Sequence, residues 1–315
     1  MKIAVLGIGS NSVRMLFAAP DADGLHRLYR DREGTRLFAG LDEAGNLSEE
    51  AMTTTIAAVS RMAARARADG AELLRLFATS AMRDAANSAV FAERLRAACG
   101  LTPDICSGEE EARLSFIGAG SGARQGMIDI GGGSTELVVG QGERLECAFS
   151  CQMGAVRLFR LMPIARAQDV SAVIAAAAAI LEQSLQQHRC DCPPTDWIGV
   201  GGTCTSLAAL VQNIPWTMKE RIHGAVITHS QAQETALRLA DMPLAAREAL
   251  PGLQPRRADI IVHGIAILLA VMERFGIERI TVSEAGNLDG YLKQIAASLG
   301  LAGRGSGGST DDPAV

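Results

Sequence analysis

The sequence predicts a two-domain α/β protein whose two halves share one architecture. Its 315 residues correspond to about two domains at roughly 100 to 200 residues each. Strand-like and helix-like segments alternate along the chain. A glycine-rich turn directly follows an apolar strand three times, in GIGSNS from Gly7, DIGGGSTE from Asp129 and GVGGTCTS from Gly199. We therefore expect a duplicated unit, with domains over 1–121 and 122–301 and a flexible tail over 302–315.

The first half is expected to begin as a strand meander. Apolar runs separated by Gly, Asn, Asp and Pro predict strands over 3–8, 13–18 and 25–29. Ser48 before Glu49 and Glu50 is typical of a helix start, and the pattern predicts a helix to about Asp69. The remaining predicted elements are a strand over 73–78, a helix over 89–98, a strand over 102–106 and a helix that opens at Ser107.

The second half repeats this order after a junction rich in Gly and Ser between Gly118 and Gln125. The pattern predicts strands over 127–130, 135–139 and 145–149 and a long helix over 168–187. The apolar stretches 170–181 and 260–272 are shorter than the ~18 to 20 residues that a membrane span requires. Both are expected to be buried helices.

Composition excludes several classes of function. With 30 Lys plus Arg, 35 Asp plus Glu and 4% aromatic residues, we expect neither nucleic acid nor a membrane as a partner. Seven scattered cysteines and an N-terminus without a leader pattern favour the cytoplasm. The sequence HRCDC from His188 lacks the second half-site that a structural zinc requires.

The glycine turns are candidate phosphate cradles. Glycines let backbone N–H groups converge on an anion, and Ser or Thr hydroxyls add donors. An ordinary hairpin turn is the alternative for any single turn of this kind, but the recurrence favours a functional role. Neither a P-loop nor a dinucleotide-binding pattern is present. The second and third turns supply as candidates Gly131, Gly132, Gly133, Ser134, Thr135, Gly201, Gly202 and Thr203.

Charged residues beside these turns are candidates for metal and anion chemistry. Asp129 and Glu136 flank the GGGST turn and can supply oxygen ligands to Mg²⁺, although Glu136 is also compatible with a solvated strand position. The run Glu109 to Glu111 suits the first turn of a helix, yet one of these carboxylates can serve as a base near a bound phosphate. Candidate anion contacts are Arg14, Arg83 and Arg257. The alternative interpretation for any one of these arginines is an ordinary surface residue.

Six segments together resemble the exopolyphosphatase/guanosine pentaphosphate phosphohydrolase (Ppx/GppA) family. They are GIGSNSVR from Gly7, ATSAMRDAAN from Ala78, SGEEEAR from Ser107, DIGGGSTEL from Asp129, GVGGTCTSLA from Gly199 and LPGLQPRRADII from Leu250. They span nearly the whole chain in family order. The resemblance implies an actin-like ATPase fold: duplicated ribonuclease H-like domains with the active site in the cleft between them.

The resemblance also implies residue roles. Glu111 resembles the family's catalytic base, which activates the attacking water. Asp129 and Glu136 would hold Mg²⁺, and the residues from Gly131 to Thr135 would cradle the terminal phosphate. The first phosphate loop would comprise Ser10, Asn11, Ser12 and Arg14. Arg83 and Arg257 resemble phosphate-contacting arginines.

Two departures from the family pattern stand out. Gly7 replaces an Asp that many members carry, which predicts one carboxylate fewer at the metal site and slower turnover or an altered metal preference. The terminal GLREG-like segment is GNLDG from Gly286. The folded part of the chain is expected to end near residue 300, without the additional helical domains of longer members, which favours short chains or nucleotides as substrates.

The main functional hypothesis is an Mg²⁺-dependent exopolyphosphatase that releases terminal orthophosphate from inorganic polyphosphate. The alternatives are a guanosine pentaphosphate (pppGpp) 5′-phosphohydrolase and a weakly active regulatory protein that binds polyphosphate or alarmones. A sugar or acid kinase of the same superfamily is less compatible with the context of Glu111. The resemblance also makes a homodimer a possible assembly.

Overall fold

The computed structural model describes residues 1–21, 24–188, 190 and 194–301. The predicted flexible tail and Cys192 of the HRCDC segment lie outside these residues. The described chain forms two mixed β-sheets flanked by helices. Among the described helices, none has both the length and the apolar character that crossing a bilayer would require.

The first sheet has the strand order β3-β2-β1-β4-β5. Its strands are β1 (Ile3–Ile8), β2 (Ser12–Asp21), β3 (Gly24–Gly34), β4 (Leu73–Ala78) and β5 (Asp104–Ile105). The helices of this half are α1 (Glu49–Ala68), α2 (Ser80–Arg83), α3 (Ser88–Cys99) and α4 (Gly108–Ala119). Neighbouring strands from β1 to β3 are antiparallel, whereas β4 is parallel to β1 and β5 to β4.

The second sheet has the order β10-β11-β9-β6-β7-β8. Its strands are β6 (Arg124–Ile130), β7 (Thr135–Gln141), β8 (Arg144–Cys151), β9 (Trp197–Val200), β10 (Val226–Thr228) and β11 (Arg279–Val282). The helices are α5 (Ala155–Leu161), α6 (Val170–Gln187), α7 (Gly201–Val211), α8 (Lys219–Ile222), α9 (His229–Ala240), α10 (Leu244–Glu248), α11 (Ile261–Phe275) and α12 (Asn287–Ser298).

The two sheets repeat one topology. In each, three antiparallel strands form a meander, and two further strands run parallel to the first strand of that meander. The order β8-β7-β6-β9-β11 therefore matches β3-β2-β1-β4-β5, with β10 added at the far edge. This duplication is the two-domain α/β architecture that the sequence predicted, and its topology is that of the actin-like ATPase fold, which the family resemblance implied.

Local sequence signals explain where several helices begin and why they are buried. The Ser48 hydroxyl accepts a hydrogen bond from the Ala51 N–H, and the Ser107 hydroxyl accepts one from the Glu110 N–H, so each serine caps its helix. Helix α11 is buried at every residue from Ile261 to Met272. It lies in the core of the second half, which confirms the buried helix expected there.

Helices α4 and α12 connect the two halves. Glycines allow the close crossing: a Cβ on Gly118 would lie 1.9 Å from the Gly286 carbonyl oxygen, and one on Gly290 would lie 1.9 Å from that of Leu114. Leu288 and Tyr291 of α12 belong to a core cluster formed with strands of the first sheet. Residues 287–298, which the sequence analysis grouped with the second domain, therefore pack on the first one, because their apolar face is complementary to that sheet.

Most predicted elements are present with shifted ends. Strand β3 extends to Gly34, five residues beyond the expected end at 29, whereas the strand expected over 102–106 contains only Asp104 and Ile105. Pairing along β2 accounts for the longer strand, since Ser12 still pairs with Gly34. Polar residues in β3 obscured this extension, because cross-strand pairing rather than apolar alternation maintains it.

Candidate active site

A cavity of about 380 Å³ lies between the two sheets. Both glycine hairpin turns line it, with Gly9 to Ser12 on one side and Gly131 and Gly132 on the other. The start of α7, from Gly201 to Thr203, contributes a third side. The structure thus brings together the three glycine-rich turns that the sequence singled out, although about 190 residues separate the first from the last.

The first two turns have the same geometry. The Gly9 N–H donates to the Ser12 carbonyl oxygen at 3.0 Å, and the Gly131 N–H donates to that of Ser134 at 2.9 Å. The turns also pack against each other, since a Cβ on Gly132 would lie 2.8 Å from the Cβ of Ser10. Only a glycine permits this approach, so the two turns lie against each other at the wall of the cavity.

Within the predicted second cradle the residues divide into two groups. Gly131 and Gly132 line the cavity. Gly133 faces Phe38, because a Cβ there would lie 2.7 Å from the ring. Ser134 and Thr135 are buried, and the Thr135 hydroxyl donates to the Met153 carbonyl oxygen at 2.5 Å. The last three residues therefore support the turn rather than form its open surface.

Glu111 is a buried carboxylic acid at the wall of the cavity. It lies in the first turn of α4, is 7% exposed and is the one residue of the EEE run that lines the cavity. Burial and the charge of Asp129 raise its pKa to about 7, against hydrogen bonds from Arg83 and Thr79 that lower it. A carboxyl group with this pKa exchanges a proton readily near neutral pH, as a general base must.

Asp129 and Glu136 are direct partners across the β6–β7 ladder, so their side chains share one face of the sheet. The Ser115 hydroxyl donates to Asp129 at 2.6 Å, and the Ser150 hydroxyl donates to Glu136 at 2.8 Å. Burial raises the pKa of both, and for Glu136 the charges of Glu111 and Asp129 raise it further. Asp129 lines the cavity, whereas Glu136 is 1% exposed and lies behind it.

The donor set fits a hard divalent cation. Burial raises the pKa of all three carboxyl groups, and neighbouring carboxylates raise that of Glu111 and Glu136 further, which makes an environment that a cation would stabilise. Within the described residues, no group of three or more His, Cys, Asp or Glu side chains is arranged to ligate one ion together. Mg²⁺ needs only one or two protein carboxylates, since waters and phosphate oxygens complete its coordination.

The predicted arginines occupy different places. Arg14 and Arg257 line the cavity, and burial together with the Arg14 charge lowers the pKa of Arg257 to about 10. The Arg257 guanidinium lies where a side chain on Gly202 would be, 2.0 Å from that Cβ position. Arg83 lies behind Glu111, with Nη1 3.4 Å from its Oε2, and its Nη2 is buried without a hydrogen-bond partner among the described residues.

Several residues of the site were not predicted from the sequence. Arg32, Thr79, Ser80 and Lys219 line the cavity, and Ser115 orients Asp129. Arg157 fixes the second turn, because its Nε donates to the Gly133 carbonyl oxygen at 2.7 Å and its Nη2 donates to Asp84 at 2.7 Å. Only Thr79 and Ser80, within ATSAMR, fell in a segment already singled out, so that segment was the available signal.

Gly7 has apolar surroundings. A Cβ at this position would lie 2.8 Å from the Phe77 ring and 3.5 Å from Leu288. Leu288 belongs to the GNLDG segment, so the two departures from the family pattern, Gly7 and GNLDG, are adjacent in the structure. Together the two positions form an apolar contact beside β1.

The chain has two duplicated α/β domains, and glycine turns, buried carboxylates and arginines surround the cleft between them. These features define a protein of the actin-like ATPase fold whose cleft has groups suited to binding phosphate. The chain belongs to the Ppx/GppA phosphatase family, whose model matches residues 17–298.

Named relatives cover nearly all of the chain. "Exopolyphosphatase 2" of Mycobacterium tuberculosis is 34% identical over 94% of this chain and 98% of its own length. The "Guanosine-5′-triphosphate,3′-diphosphate pyrophosphatase" of Photobacterium profundum is 28% identical over 94% of this chain, which spans 59% of that longer protein. The crystal structure of the Aquifex aeolicus Ppx/GppA family member superposes with a TM-score of 0.80 at 27% identity, covering 95% of this chain and 98% of that one.

Proposed function

We propose that this protein is an exopolyphosphatase, which releases terminal orthophosphate from inorganic polyphosphate by water attack. The observation that carries the proposal is Glu111, a buried carboxyl group with a pKa of about 7 in the wall of the cavity that the glycine turns also line. The 34% identity to an exopolyphosphatase along nearly the whole chain supports the same substrate.

In this proposal Glu111 accepts a proton from the attacking water. Arg83 and Thr79 hydrogen-bond the charged carboxylate, which keeps its oxygens oriented for that transfer. The N–H groups of the two glycine turns and the Ser10 hydroxyl hold the terminal phosphate, while Arg257 balances its charge and Arg14 balances that of the phosphate next to it. Burial makes these interactions stronger than they would be in water.

We further propose that the resident cofactor is Mg²⁺, held by Asp129 with Glu136 behind it. When bound, a divalent cation neutralises negative charge that develops on the phosphate oxygens. The contribution of the protein is to fix the donors: Ser115 orients Asp129 and Ser150 orients Glu136.

A second candidate substrate is pppGpp. Its support is the 28% identity to the Photobacterium profundum enzyme over 94% of this chain. Both substrates end in a phosphoanhydride-linked phosphate, so the groups around Glu111 would act on either one. The two candidates differ only in what lies beyond the terminal phosphates.

The test is phosphate release by the purified protein from short polyphosphate, long polyphosphate and pppGpp in parallel, with and without Mg²⁺. We expect Mg²⁺-dependent release from polyphosphate and a loss of about 10²-fold or more in the Glu111→Gln variant. Glu110→Gln is the matched control, because Glu110 is the neighbouring residue of the same helix turn and does not line the cavity.

The outcomes separate the hypotheses. Release from pppGpp alone would replace polyphosphate by the nucleotide as the substrate. Full activity in Glu111→Gln would remove Glu111 from the role of base. Saturable binding without release from any substrate would indicate a regulatory binding protein instead of a hydrolase.

A further inference from the structure

Two arginines face each other across neighbouring strands at the edge of the cavity. Arg14 of β2 and Arg32 of β3 are direct partners in the antiparallel ladder, and both are half-buried and line the cavity. Directly opposed side chains lie on the same face of a sheet, and like charges in this position are destabilising. An anion bound between the two guanidinium groups would relieve that repulsion.

Three of the carboxylates that line the cavity beside this pair are bound to other cations, and the Arg14 charge acts on a fourth, Asp129, without forming a salt bridge to it. Asp289 pairs with Arg27 and Arg30, Glu284 with Lys219, and Asp31 with Arg65. In the described part of the chain, no carboxylate lies within salt-bridge distance of Arg14 or Arg32. Arg257 adds a third cation to the same cavity. The three arginines therefore provide more positive charge than one terminal phosphate needs.

Arg14 and Arg32 lie at successive distances from β1 along the cleft. The Arg14 Nη2 lies 3.8 Å from the Cβ position of Gly9 and so borders the first glycine turn. Arg32 donates from Nε to the Ser12 hydroxyl at 3.3 Å, which aligns its guanidinium beside that turn. Since adjacent strands are about 4.8 Å apart, Arg32 stands one strand farther than Arg14 from β1 and the reacting end.

We propose that Arg14 and Arg32 bind the second and third phosphate groups of a linear polyphosphate, so that Arg32 distinguishes chains of three or more phosphates from pyrophosphate. This inference rests on the proposed function and names a specificity residue for it. The guanidinium fork suits phosphate oxygens and stays charged at any physiological pH. The bound polyphosphate would supply the negative charge that offsets the repulsion between Arg14 and Arg32.

The test measures binding without turnover. Tripolyphosphate and pyrophosphate are titrated by calorimetry, in the same Mg²⁺ buffer, into the Glu111→Gln protein with and without Arg32→Ala. We expect Arg32→Ala to weaken tripolyphosphate binding about tenfold or more and pyrophosphate binding less than about twofold. Arg32→Lys should fall in between, since it keeps the charge and loses the fork.

Arg75→Ala is the matched control, because Arg75 is an exposed strand arginine of the same sheet that lies outside the cavity. It removes one charge and should leave both affinities unchanged. Without ligand, Arg32→Ala should melt at the same or a higher temperature than its parent, and tripolyphosphate should raise its Tm less. A clear fall in the ligand-free Tm would identify Arg32 as a structural residue and overturn the inference.

Other results separate this inference from the proposed function. Equal losses for tripolyphosphate and pyrophosphate, or no loss, would overturn the role of Arg32. If the unmodified protein releases no phosphate but binding depends on Arg32, the proposed function fails while the inference stands. If the Glu111→Gln parent binds no tripolyphosphate, the inference fails regardless of what the unmodified protein hydrolyses.

Discussion

The two glycine hairpins share one backbone geometry and carry opposite charges. In the second sheet, Asp129, Glu136 and Ser150 form a row across β6, β7 and β8. In the first sheet, the positions with the same register are Gly7, Arg14 and Arg32 across β1, β2 and β3. One row presents two carboxylates and the other presents two guanidinium groups. The same backbone scaffold therefore carries an acidic row in one sheet and a basic row in the other.

The charge of each row matches what surrounds it. The acidic row is deeply buried beside Glu111, where the pKa of each carboxyl group is raised and a cation is favoured. The basic row is half-buried at the cleft wall, where Arg14 and Arg32 line the cavity and are accessible to an anion. Under the proposed function, a metal ion would lie against the second hairpin, beside Glu111 of α4, and the substrate charge would lie against the first hairpin.

Removing the negative charge of Asp129 should have the largest effect on phosphate release. We expect Asp129→Asn to lower Mg²⁺-dependent phosphate release about 10²-fold or more, because it removes the one carboxylate of the row that lines the cavity. Glu136→Gln should lower the rate less, since that side chain lies behind. The control is Glu146→Gln, which removes an exposed carboxylate from β8. Equal rates for Asp129→Asn and the control would contradict this assignment.

Adding an acid to the basic row should destabilise the fold without adding activity. The side chain of Gly7→Asp would overlap the Phe77 ring, and overpacking of this kind costs roughly 1 to 3 kcal/mol of unfolding free energy. Denaturant unfolding of Gly7→Asp with and without Phe77→Leu measures the overlap, because the smaller side chain should recover part of the loss. Normal stability with faster turnover would show instead that position 7 opens to the metal site.

The third effect is on the pH dependence of stability in the metal-free protein. The pKa of Glu111 is about 7 in the fold against an ordinary value of 4.5. The folded state therefore binds more protons between these values, and unfolding free energy should fall as pH rises through this window. The expected loss between pH 5.5 and 7.5 is on the order of 1 to 2 kcal/mol.

Thermal unfolding of the metal-free protein in EDTA at several pH values measures this dependence. Glu111→Gln is the comparison, because Gln does not titrate and its stability should change less across the same window. An identical dependence of stability on pH in both proteins would mean that the Glu111 carboxyl has the same pKa in the folded and unfolded states. That result would also weaken its assignment as the base.

The sequence by itself determined the duplicated architecture and most of the elements. Strand periodicity, helix caps and glycine turns act over a few residues, so they are readable without the fold. The same local signals identified the turns at Gly9, Gly131 and Gly201 and the acidic run that contains Glu111. Resemblance to a family then distinguished Glu111 from Glu109 and Glu110, which local chemistry alone left open.

Only the tertiary structure decided which charges meet. Arg32 occupies an unremarkable place in a charged strand, and its pairing with Arg14 depends on the register of β2 and β3. Helix α12 packs on the first sheet, although the chain reaches it last, because its apolar face fits α4 and β1. Such relations join residues that are distant in sequence. Burial and neighbouring charge, which set the pKa of Glu111 and the role of each arginine, exist only once the chain is folded.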